Sequence, residues 1–347
     1  MISLVDDAAL LSPKEMAGRL ASLTADGNTV SDYYGNGGAV ETFETAIAAH
    51  LGKERAVIFP TGTLANLCAM RLLAGTDNAR ILVHRDGHFF NDAGDNLAAL
   101  GRFTMVPMAG EGAGFDAADV EREIARAASA RVAARVGCIA IESPSRRIDG
   151  RSFGSERIAA IADVAREHGV PLFLDGARML IECAVTGQSP VKMATPFDLI
   201  YLSLYKHLDA PFGCVLAGDA ALLDDVYHQR RAYGGGLWQM WPAAVMALDK
   251  LTRFDALWTE VIKHAEAVFA AMQGGPIVVE RFADGTNAVR LSFPRAPDNP
   301  ALLAAHAQRL GLKVPPLTGG RMTIKFNESW LDTEPGALAA KLWELAE

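Results

Sequence analysis

A single lysine follows an apolar stretch of the chain and has the chemistry of a nucleophile. Lys206 comes directly after residues 199–205, which are rich in Leu, Ile and Tyr, and small, turn-forming residues come after it. Lysine is strongly hydrated and is seldom buried without a reason. Where burial or a nearby positive charge removes its proton, the neutral amine attacks aldehydes. The sequence therefore predicts a reactive lysine at the end of a buried strand.

An aspartate ends an earlier apolar stretch. Asp175 follows the run Leu172–Leu174, and the residues after it, Gly176 and Ala177, are small enough for a flat ring to approach. An amine and a carboxylate at two strand ends are what a pyridoxal phosphate site needs. The amine forms a Schiff base with the cofactor aldehyde, and the carboxylate keeps the pyridine nitrogen protonated. Capping of the next helix is the alternative role for such an aspartate.

A glycine between two threonines connects another apolar run to a helical pattern. Thr61, Gly62 and Thr63 follow the run Ala56–Phe59. Helix N-termini bind anions through their free N–H groups and the helix dipole. The glycine allows close backbone approach and the threonines add hydroxyl donors. Taken alone, the turn fits ordinary N-capping as well; together with the predicted amine and carboxylate, it indicates a phosphate site.

Three further features have both a functional and a structural interpretation. Arg178 is either a surface arginine or a fork for a carboxylate, which a planar guanidinium binds through two nitrogens. His88 either stabilises its loop or stacks on a cofactor ring and moves protons near neutral pH. The glycines at 234–236 form either a simple loop or a contact with phosphate across a subunit boundary.

Short apolar runs and helical patterns alternate over most of the chain and predict an α/β fold. This alternation favours a mostly parallel sheet with helices on both faces, and ligands of such folds gather at the carboxyl ends of the strands. We predict an N-terminal arm at 1–15, a large cofactor-binding domain at 16–245 and a smaller α+β domain at 246–347. The segment 215–217 is predicted to return antiparallel to the sheet.

Composition argues against several classes of protein. The net charge of −8 and the absence of a basic stripe argue against a nucleic-acid partner. No run approaches the ~18 uninterrupted apolar residues typical of a membrane span, and the N-terminus lacks the features of a signal peptide. The four cysteines lie in apolar segments without metal-ligand spacing, so we predict buried thiols, no metal site and a cytoplasmic location.

The order of these motifs resembles the threonine aldolase and β-eliminating lyase family of pyridoxal phosphate enzymes, which have the aspartate aminotransferase-like fold (fold type I). The resemblance extends from about Asp32 to about Arg321, most of the chain. Each motif is weak alone, and the set in this order is specific. The motifs are Tyr34-Gly35, Thr61 to Asn66, His88 with Ala93-Gly94, Glu142, Asp175 to Arg178, Ser203 to Gly213, and Gly234 to Gly236.

The resemblance implies how the cofactor is held. Lys206 forms the Schiff base, Asp175 pairs with the ring nitrogen, and His88 stacks on the ring; these three are the implied catalytic residues. The other implied cofactor contacts are Thr61, Gly62, Thr63, Arg178, Ser203 and Arg230.

The resemblance also implies how the substrate and a second subunit are arranged. Arg178 and Arg321 bind the substrate carboxylate, and Tyr34 and Ser145 complete the implied substrate contacts. The family forms homodimers or homotetramers with the active site at the dimer interface, so Tyr34 and Arg230 are expected to act from the neighbouring subunit.

Three departures from the family pattern bear on the reaction. Ser145 stands where the family has a histidine that handles the substrate β-hydroxyl, and serine is a much weaker base. Asp6 stands where a serine touches the substrate carboxylate, and His207 and Asp209 replace two glycines. We therefore predict an amino-acid lyase that cleaves a threonine-like β-hydroxy-α-amino acid. The open alternatives are a β-eliminating or aminotransferase-like enzyme and a non-catalytic relative.

Overall fold

A computed structural model describes residues 1–75, 79–110, 112–294 and 300–346 of the chain. The strands of these residues, β1 to β12 in chain order, are Ile2–Ser3, Arg55–Phe59, Arg80–His84, Thr104–Met108, Val136–Glu142, Leu172–Asp175, Leu199–Ser203, Cys214–Gly218, Val278–Glu280, Ala288–Ser292, Leu312–Lys313 and Arg321–Lys325.

The helices of the described residues are labelled α1 to α14. Their bounds are Pro13–Leu23, Gly38–Leu51, Gly62–Ala74, His88–Asn91, Asn96–Ala99, Ala117–Ser129, Ser155–Glu167, Met179–Thr186, Pro190–Ala194, Val226–Ala232, Trp241–Thr252, Phe254–Ala271, Pro300–Arg309 and Pro335–Trp343. Two short 3₁₀ helices follow β12, at Glu328–Asp332 and Glu344–Ala346.

A seven-stranded sheet forms the centre of the large domain. Its strand order is β2-β8-β7-β6-β5-β3-β4, and β8 runs antiparallel to both of its neighbours while the other pairs are parallel. This arrangement confirms the predicted α/β class and the antiparallel return of residues 215–217. The parallel strands point their carboxyl ends to one edge of the sheet, where connecting turns leave room for a ligand.

Alternating side chains of the central strands pack into two apolar layers. In β7, Ile200 and Leu202 join the cluster that contains residues of α2 and α7, whereas Leu199 and Tyr201 join the cluster that contains α3. Successive residues of a strand point to opposite faces, so both faces of the sheet are covered. Burial on both faces explains why these strands are almost continuously apolar in the sequence.

The C-terminal residues form an antiparallel sheet of order β12-β10-β9, and the N-terminal arm is attached to this part of the molecule. Strand β1 pairs in parallel with β11, and the Leu4 carbonyl accepts a hydrogen bond from the Lys325 backbone N–H at 2.8 Å. The predicted division between residues 245 and 246 falls inside α11. The chain therefore continues as one helix across the proposed boundary, and the division into two domains at this position stays a prediction.

Helix α1 follows the capping pattern that the sequence predicts. The Ser12 hydroxyl accepts from the Glu15 N–H, and the Glu15 carboxylate accepts in return from the Ser12 N–H. Among the described residues the four cysteines are buried and unpaired, and no group of three or more His, Cys, Asp or Glu residues is arranged to bind a metal ion. No described helix is both long and apolar enough to cross a membrane.

Candidate active site

The ends of three neighbouring parallel strands bring the predicted catalytic residues together. Strand β5 ends at Glu142, β6 ends at Asp175, and the turn after β7 carries Lys206. A cavity of about 260 Å³ opens at these ends. The residues lining it are His88, Asp92, Glu142, Arg146, Asp175, Ala177, Arg178, Tyr205 and Lys206.

A second cavity, of about 450 Å³, shares part of this lining. Both cavities are lined by Lys206, Tyr205, Arg146 and Arg178. The second cavity extends towards the N-terminal arm and the C-terminal sheet, which contribute Val5, Asp6, Asp7, Leu10, Ala288, Pro315, Thr323 and Lys325. The predicted nucleophile therefore lies where the large domain, the arm and the C-terminal residues meet.

Asp175 and His88 form a buried pair beside Lys206. The Asp175 carboxyl is only 3% exposed, and its Oδ2 lies 3.1 Å from His88 Nδ1. Burial opposes ionisation of Asp175, but the adjacent imidazole and the Lys206 amine outweigh it and lower the pKa of Asp175. In turn, the carboxylate raises the pKa of His88 against the effect of burial. Asp175 is therefore negatively charged at neutral pH.

The oxygen of Asp175 that faces His88 has unused hydrogen-bonding capacity. The contact with Nδ1 is close but poorly aligned, and Oδ2 has no hydrogen-bond partner among the described residues. A buried polar atom without a partner is costly and is often a sign of a missing ligand. A protonated ring nitrogen would supply the missing donor. The site therefore fits the pyridine ring of pyridoxal phosphate.

The environment of Lys206 makes its side-chain amine easier to deprotonate than that of a free lysine. Burial is the largest cause that lowers the pKa of Lys206, and the positive charge of Arg178 is the next. Asp175 acts in the opposite direction, and the resulting pKa is about 8. Lys206 Nζ lies 5.8 Å from the ring centroid of Tyr205. With this pKa, about one tenth of the amine is unprotonated at pH 7, far more than for a free lysine, and the unprotonated amine is the form that attacks an aldehyde.

Helix α3 begins at the predicted phosphate turn. Thr61 is its N-cap, and the Thr61 hydroxyl accepts from the Leu64 N–H at 3.4 Å. Gly62 is pressed against Tyr201, because a Cβ atom at position 62 would overlap the Tyr201 Oη atom. Thr61 and Thr63 are exposed at this end of the helix. The Leu64 N–H is used by this cap, and the N–H groups of Gly62 and Thr63, which have no hydrogen-bond partner among the described residues, remain open to an anion.

Ser203 ends β7 on the face that carries Tyr201. It is fully buried, and its Oγ atom has no hydrogen-bond partner among the described residues. Ser203 does not line either cavity that contains Lys206. The structure thus places it in the layer between the sheet and α3, and its predicted contact with the cofactor stays a prediction.

Arg178 is held by a carboxylate of the N-terminal arm. Its Nε donates to Asp7 Oδ2 at 2.7 Å, and Lys325 Nζ donates to the other Asp7 oxygen at 2.6 Å. Asp6 instead accepts from Ser3 Oγ and Lys313 Nζ. The acidic residue that meets Arg178 is therefore Asp7, whereas the sequence analysis placed Asp6 beside the substrate carboxylate.

Arg230 does not extend into the cavity of its own chain. Its side chain is buried, and its guanidinium donates to the Ile58 carbonyl at 2.5 Å and the Tyr34 carbonyl at 2.9 Å. Gly35 has no side chain, so the Arg230 guanidinium can occupy the space that a Cβ atom at position 35 would need. In this conformation Arg230 connects the edge strand β2 to the loop before α2, and the phosphate contact expected from the neighbouring subunit stays a prediction. The adjacent Arg231 is the exposed member of the pair.

Tyr34 lies in an aromatic cluster rather than in either cavity. Its ring contacts Tyr33 and Trp238 edge-on, and the Arg231 guanidinium lies 4.5 Å from its centroid. Tyr33 and Trp238 are more than half exposed. The predicted substrate contact of Tyr34 therefore requires a second chain.

Two further predicted substrate residues are absent from the lining of both cavities. Arg321 is exposed at the start of β12, whereas Thr323 and Lys325 of the same strand line the larger cavity. These residues share one face of β12, and the substrate contact assigned to Arg321 stays a prediction. Ser145 is buried, its Oγ has no partner among the described residues, and its neighbour Arg146 lines both cavities instead.

The sequence analysis also missed a structural role for Glu142. Its buried carboxylate accepts from the His88 N–H at 2.7 Å and the Arg146 N–H at 3.1 Å. Burial, and then the charge of Asp175, raise the pKa of Glu142. Glu142 therefore fixes two loops that border the cavity. Its position at the end of an apolar strand was a signal that could have assigned it this role.

The turn after Lys206 contains an aspartate in a strained conformation. Asp209 has φ +57°, a value that glycine adopts at low cost and other residues adopt rarely. Its carboxylate lies 3.1 Å from Nζ of the buried Lys250, which also bonds to Glu328 at 2.6 Å. The ion pair therefore compensates for the backbone strain at a position where the resemblance implies glycine.

We expect Asp209→Ala to destabilise the protein by about 2 kcal/mol, since it breaks one contact of a buried lysine and keeps the strain. Asp209→Gly should recover about 1 kcal/mol of this loss because glycine relieves the strain. Urea unfolding followed by circular dichroism measures both changes. Equal stability of the two variants would show that the backbone conformation at residue 209 is not strained.

Comparisons with known proteins show which proteins this chain is similar to, independently of the geometry of the site. A family model described as "Beta-eliminating lyase" matches residues 14–293. The low specificity L-threonine aldolase of Saccharomyces cerevisiae is 26% identical over 297 residues, which is 84% of this chain and 74% of the yeast protein. The low-specificity L-threonine aldolase 1 of Arabidopsis thaliana is 24% identical over 63% of this chain and 62% of its own length.

Among solved structures, a putative L-allo-threonine aldolase from Listeria monocytogenes EGD-E is similar over 100% of this chain and 95% of its own, with a TM-score of 0.82 and 24% identity. At this identity the likeness establishes the fold. This likeness confirms the predicted fold type I, in which the central sheet is mostly parallel.

Proposed function

This chain belongs to the β-eliminating lyase family, and from that premise we propose that it is a pyridoxal phosphate-dependent carbon–carbon lyase. The proposed reaction is cleavage of a threonine-like β-hydroxy-α-amino acid to glycine and an aldehyde. The observation that carries the proposal is the pairing of a low-pKa lysine, Lys206, with an ionised buried carboxylate, Asp175, at neighbouring strand ends. The names of the yeast and plant relatives support the choice of substrate.

Three residues that line the cavity fit the cofactor, and the N-terminus of α3, which lies outside the lining of both cavities, adds a fourth feature. Asp175 would hold the proton of the ring nitrogen, and His88 lies beside it on the cavity wall. Lys206 offers a partly deprotonated amine for covalent attachment. The N-terminus of α3 offers N–H groups to a phosphate. When bound, pyridoxal phosphate supplies a protonated ring that accepts the electron pair of the bond broken at the substrate Cα.

The chain's own groups would bind the substrate and move its protons. Arg178 borders Lys206 in both cavities, so a carboxylate at Arg178 keeps the amino acid beside the reacting amine. Lys206, whose pKa is about 8, would in its protonated form donate the proton that Cα gains when glycine forms. His88 lies 3.1 Å from Asp175, and against the effect of burial its imidazole lowers the pKa of that carboxyl, which helps to keep it ionised.

Product analysis tests the proposed reaction. Purified protein loaded with pyridoxal phosphate is incubated with threonine, allo-threonine and phenylserine, and glycine and the aldehyde are quantified. Glycine and aldehyde in equal amounts support the proposal. Formation of only a 2-oxo acid and ammonia would overturn the aldol assignment, and failure to retain the cofactor would overturn the proposed function altogether.

β-Elimination is the second candidate, and the position of Ser145 favours it. Aldol cleavage needs a base at the substrate β-hydroxyl, but Ser145 is buried outside the cavity. Among the described residues His88 is the sole histidine lining the two cavities that contain Lys206, and it is engaged with Asp175. Release of pyruvate and ammonia from serine or a β-substituted alanine would establish this candidate in the same assay.

We further propose a homodimer or homotetramer in a reducing, cytoplasmic compartment. The exposed aromatic rings of Tyr33 and Trp238, which contact each other edge-on, support an interface with a second copy. The buried, unpaired cysteines support a compartment in which thiols stay reduced. Sedimentation equilibrium measures the assembly, and a monomer at micromolar concentration would contradict it.

The contact between Gly62 and Tyr201 gives a specific test of the phosphate turn. We expect Gly62→Ala to weaken cofactor binding roughly 10-fold or more, because the added methyl group overlaps Tyr201 Oη and displaces the first turn of α3. Adding Tyr201→Phe removes that oxygen and should restore part of the affinity, although Cζ remains 3.0 Å from the new methyl group. Cofactor titration measures the affinities. Wild-type affinity of Gly62→Ala would exclude this turn as the phosphate site.

A further inference from the structure

The carboxylate of Asp7 joins three separate segments at the edge of the larger cavity. It is 8% exposed and belongs to the N-terminal arm. One of its oxygens accepts from Arg178 Nε, at the start of α8, and the other accepts from Lys325 Nζ, at the end of β12. All three residues line the cavity that contains Lys206. The proposed function gives Asp7 no role.

The arm is fixed firmly enough to position this carboxylate. The Asn327 amide donates to the backbone carbonyls of Ser3 and Asp6 at 3.1 and 2.9 Å. The Lys325 backbone N–H donates to the Leu4 carbonyl. These hydrogen bonds, from Lys325 and Asn327, fix the backbone of the arm immediately before Asp7. The Asp7 side chain therefore has little freedom to move away from Arg178.

Asp7 contacts Arg178 at one edge of the guanidinium only. The hydrogen bond runs from Nε, and the two terminal nitrogens of Arg178 have no hydrogen-bond partner among the described residues. A guanidinium carries five N–H donors in a planar fork, so fixing the Nε edge leaves the terminal nitrogens available as a pair. Such a pair matches the two oxygens of a carboxylate.

Charge balance leads to the same conclusion. Arg178 and Lys325 carry two positive charges, and Asp7 carries one negative charge. Although burial raises the pKa of Asp7, the two cations outweigh it and hold the pKa at about 2, so the carboxylate is ionised at any pH at which the protein would be assayed. One net positive charge remains, which suits a single substrate carboxylate.

We propose that Asp7 is a positioning residue that orients the Arg178 guanidinium so that its terminal nitrogens bind the substrate carboxylate. This inference rests on the proposed function, since it assumes an amino-acid substrate at Lys206. Asp7 does not touch the reacting atoms. It acts through Arg178, and Lys325 holds Asp7 from the opposite side.

The inference predicts a change in substrate affinity without a matching change in turnover. We expect Asp7→Asn to raise KM for a carboxylate substrate roughly 10- to 100-fold, the range for displacing a positioning group by about 1 Å, with kcat within about 3-fold of wild type. Asp7→Glu keeps the charge but shifts the guanidinium by one methylene, so it should raise KM less. Asp249→Asn, which loses ion pairs with Arg19 and Arg253 away from both cavities, is the matched control and should leave KM unchanged.

A carboxamide substrate separates positioning from a general structural effect. Threoninamide lacks the carboxylate, so its KM should be nearly the same for wild type and Asp7→Asn. An equal rise in KM for threonine and threoninamide would overturn the inference, as would an unchanged KM for threonine. A lower KM for threonine in Asp7→Asn would also overturn it, because it would mean that Asp7 competes with the substrate for Arg178.

Failure of the inference is distinguishable from failure of the proposed function. Wild-type protein that binds pyridoxal phosphate and turns over an amino acid, but whose KM is insensitive to Asp7, contradicts only the inference. Wild-type protein without turnover contradicts the proposed function. Should Asp7→Asn not fold, Asp7→Glu decides the question alone, since a wild-type KM in that variant overturns the positioning role.

Discussion

Replacing Lys206 by alanine is expected to abolish both turnover and covalent retention of the cofactor. The loss in kcat should be on the order of 10³-fold or more, because removal of a catalytic nucleophile leaves only the contribution of binding. The physical basis is the environment of this amine: burial and Arg178 lower its pKa to about 8, so an appreciable neutral fraction exists at neutral pH. An ordinary surface lysine is almost fully protonated there.

Reduction with borohydride measures the attachment directly. It converts the C=N bond between cofactor and lysine to a stable amine, and mass spectrometry should find the added mass on the peptide that contains Lys206. The exposed Lys192 provides a matched control, and Lys192→Ala should retain both label and turnover. A labelled Lys206→Ala protein with wild-type kcat would refute the assignment of the nucleophile.

Replacing Asp175 by asparagine is expected to lower kcat on the order of 10²-fold and to weaken cofactor binding. Asparagine has nearly the same shape, so the strand end should fold, but it carries no negative charge to keep a ring nitrogen protonated. The unpartnered Oδ2 of Asp175 is the atom that makes this carboxylate available to a ligand.

A second readout of Asp175→Asn does not depend on turnover. The carboxylate raises the pKa of His88, and burial alone would lower it. In the variant the His88 pKa should therefore fall, which titration of the imidazole resonances by NMR measures. Asp198→Asn is the control: Asp198 precedes β7 at the opposite end of the sheet, where its carboxylate accepts from the Leu172 N–H. An unchanged His88 pKa in Asp175→Asn would contradict the pairing.

Local sequence patterns were sufficient to predict the strands and the residues at their ends. Apolar runs followed by small residues identified β6 and β7, because strands buried on both faces must be apolar throughout. Parallel strands then place their carboxyl ends side by side. Asp175 and Lys206 could thus be placed in one site before any contact was known.

The charged residues that border the cavity were harder to predict. Arg321 was chosen on β12, but the cavity meets Thr323 and Lys325 of that strand. Arg230 was expected at the phosphate of the neighbouring subunit; within its own chain it bonds to two carbonyl groups, which no local pattern indicated, and the predicted contact stays a prediction. A long basic side chain has many rotamers, and its direction depends on distant acceptors that no local pattern reveals.

The sequence by itself determined the chemistry at Lys206, because the run that buries the lysine and the aspartate that accompanies it are both local signals. Only the tertiary structure decided how the substrate end of the site is built. Asp7 and Arg178 are 171 residues apart in the chain, yet their hydrogen bond sets the edge of the cavity. Such a contact forms when the arm, α8 and β12 pack together. It depends on the register of each segment, which the spacing of residues along the chain does not specify.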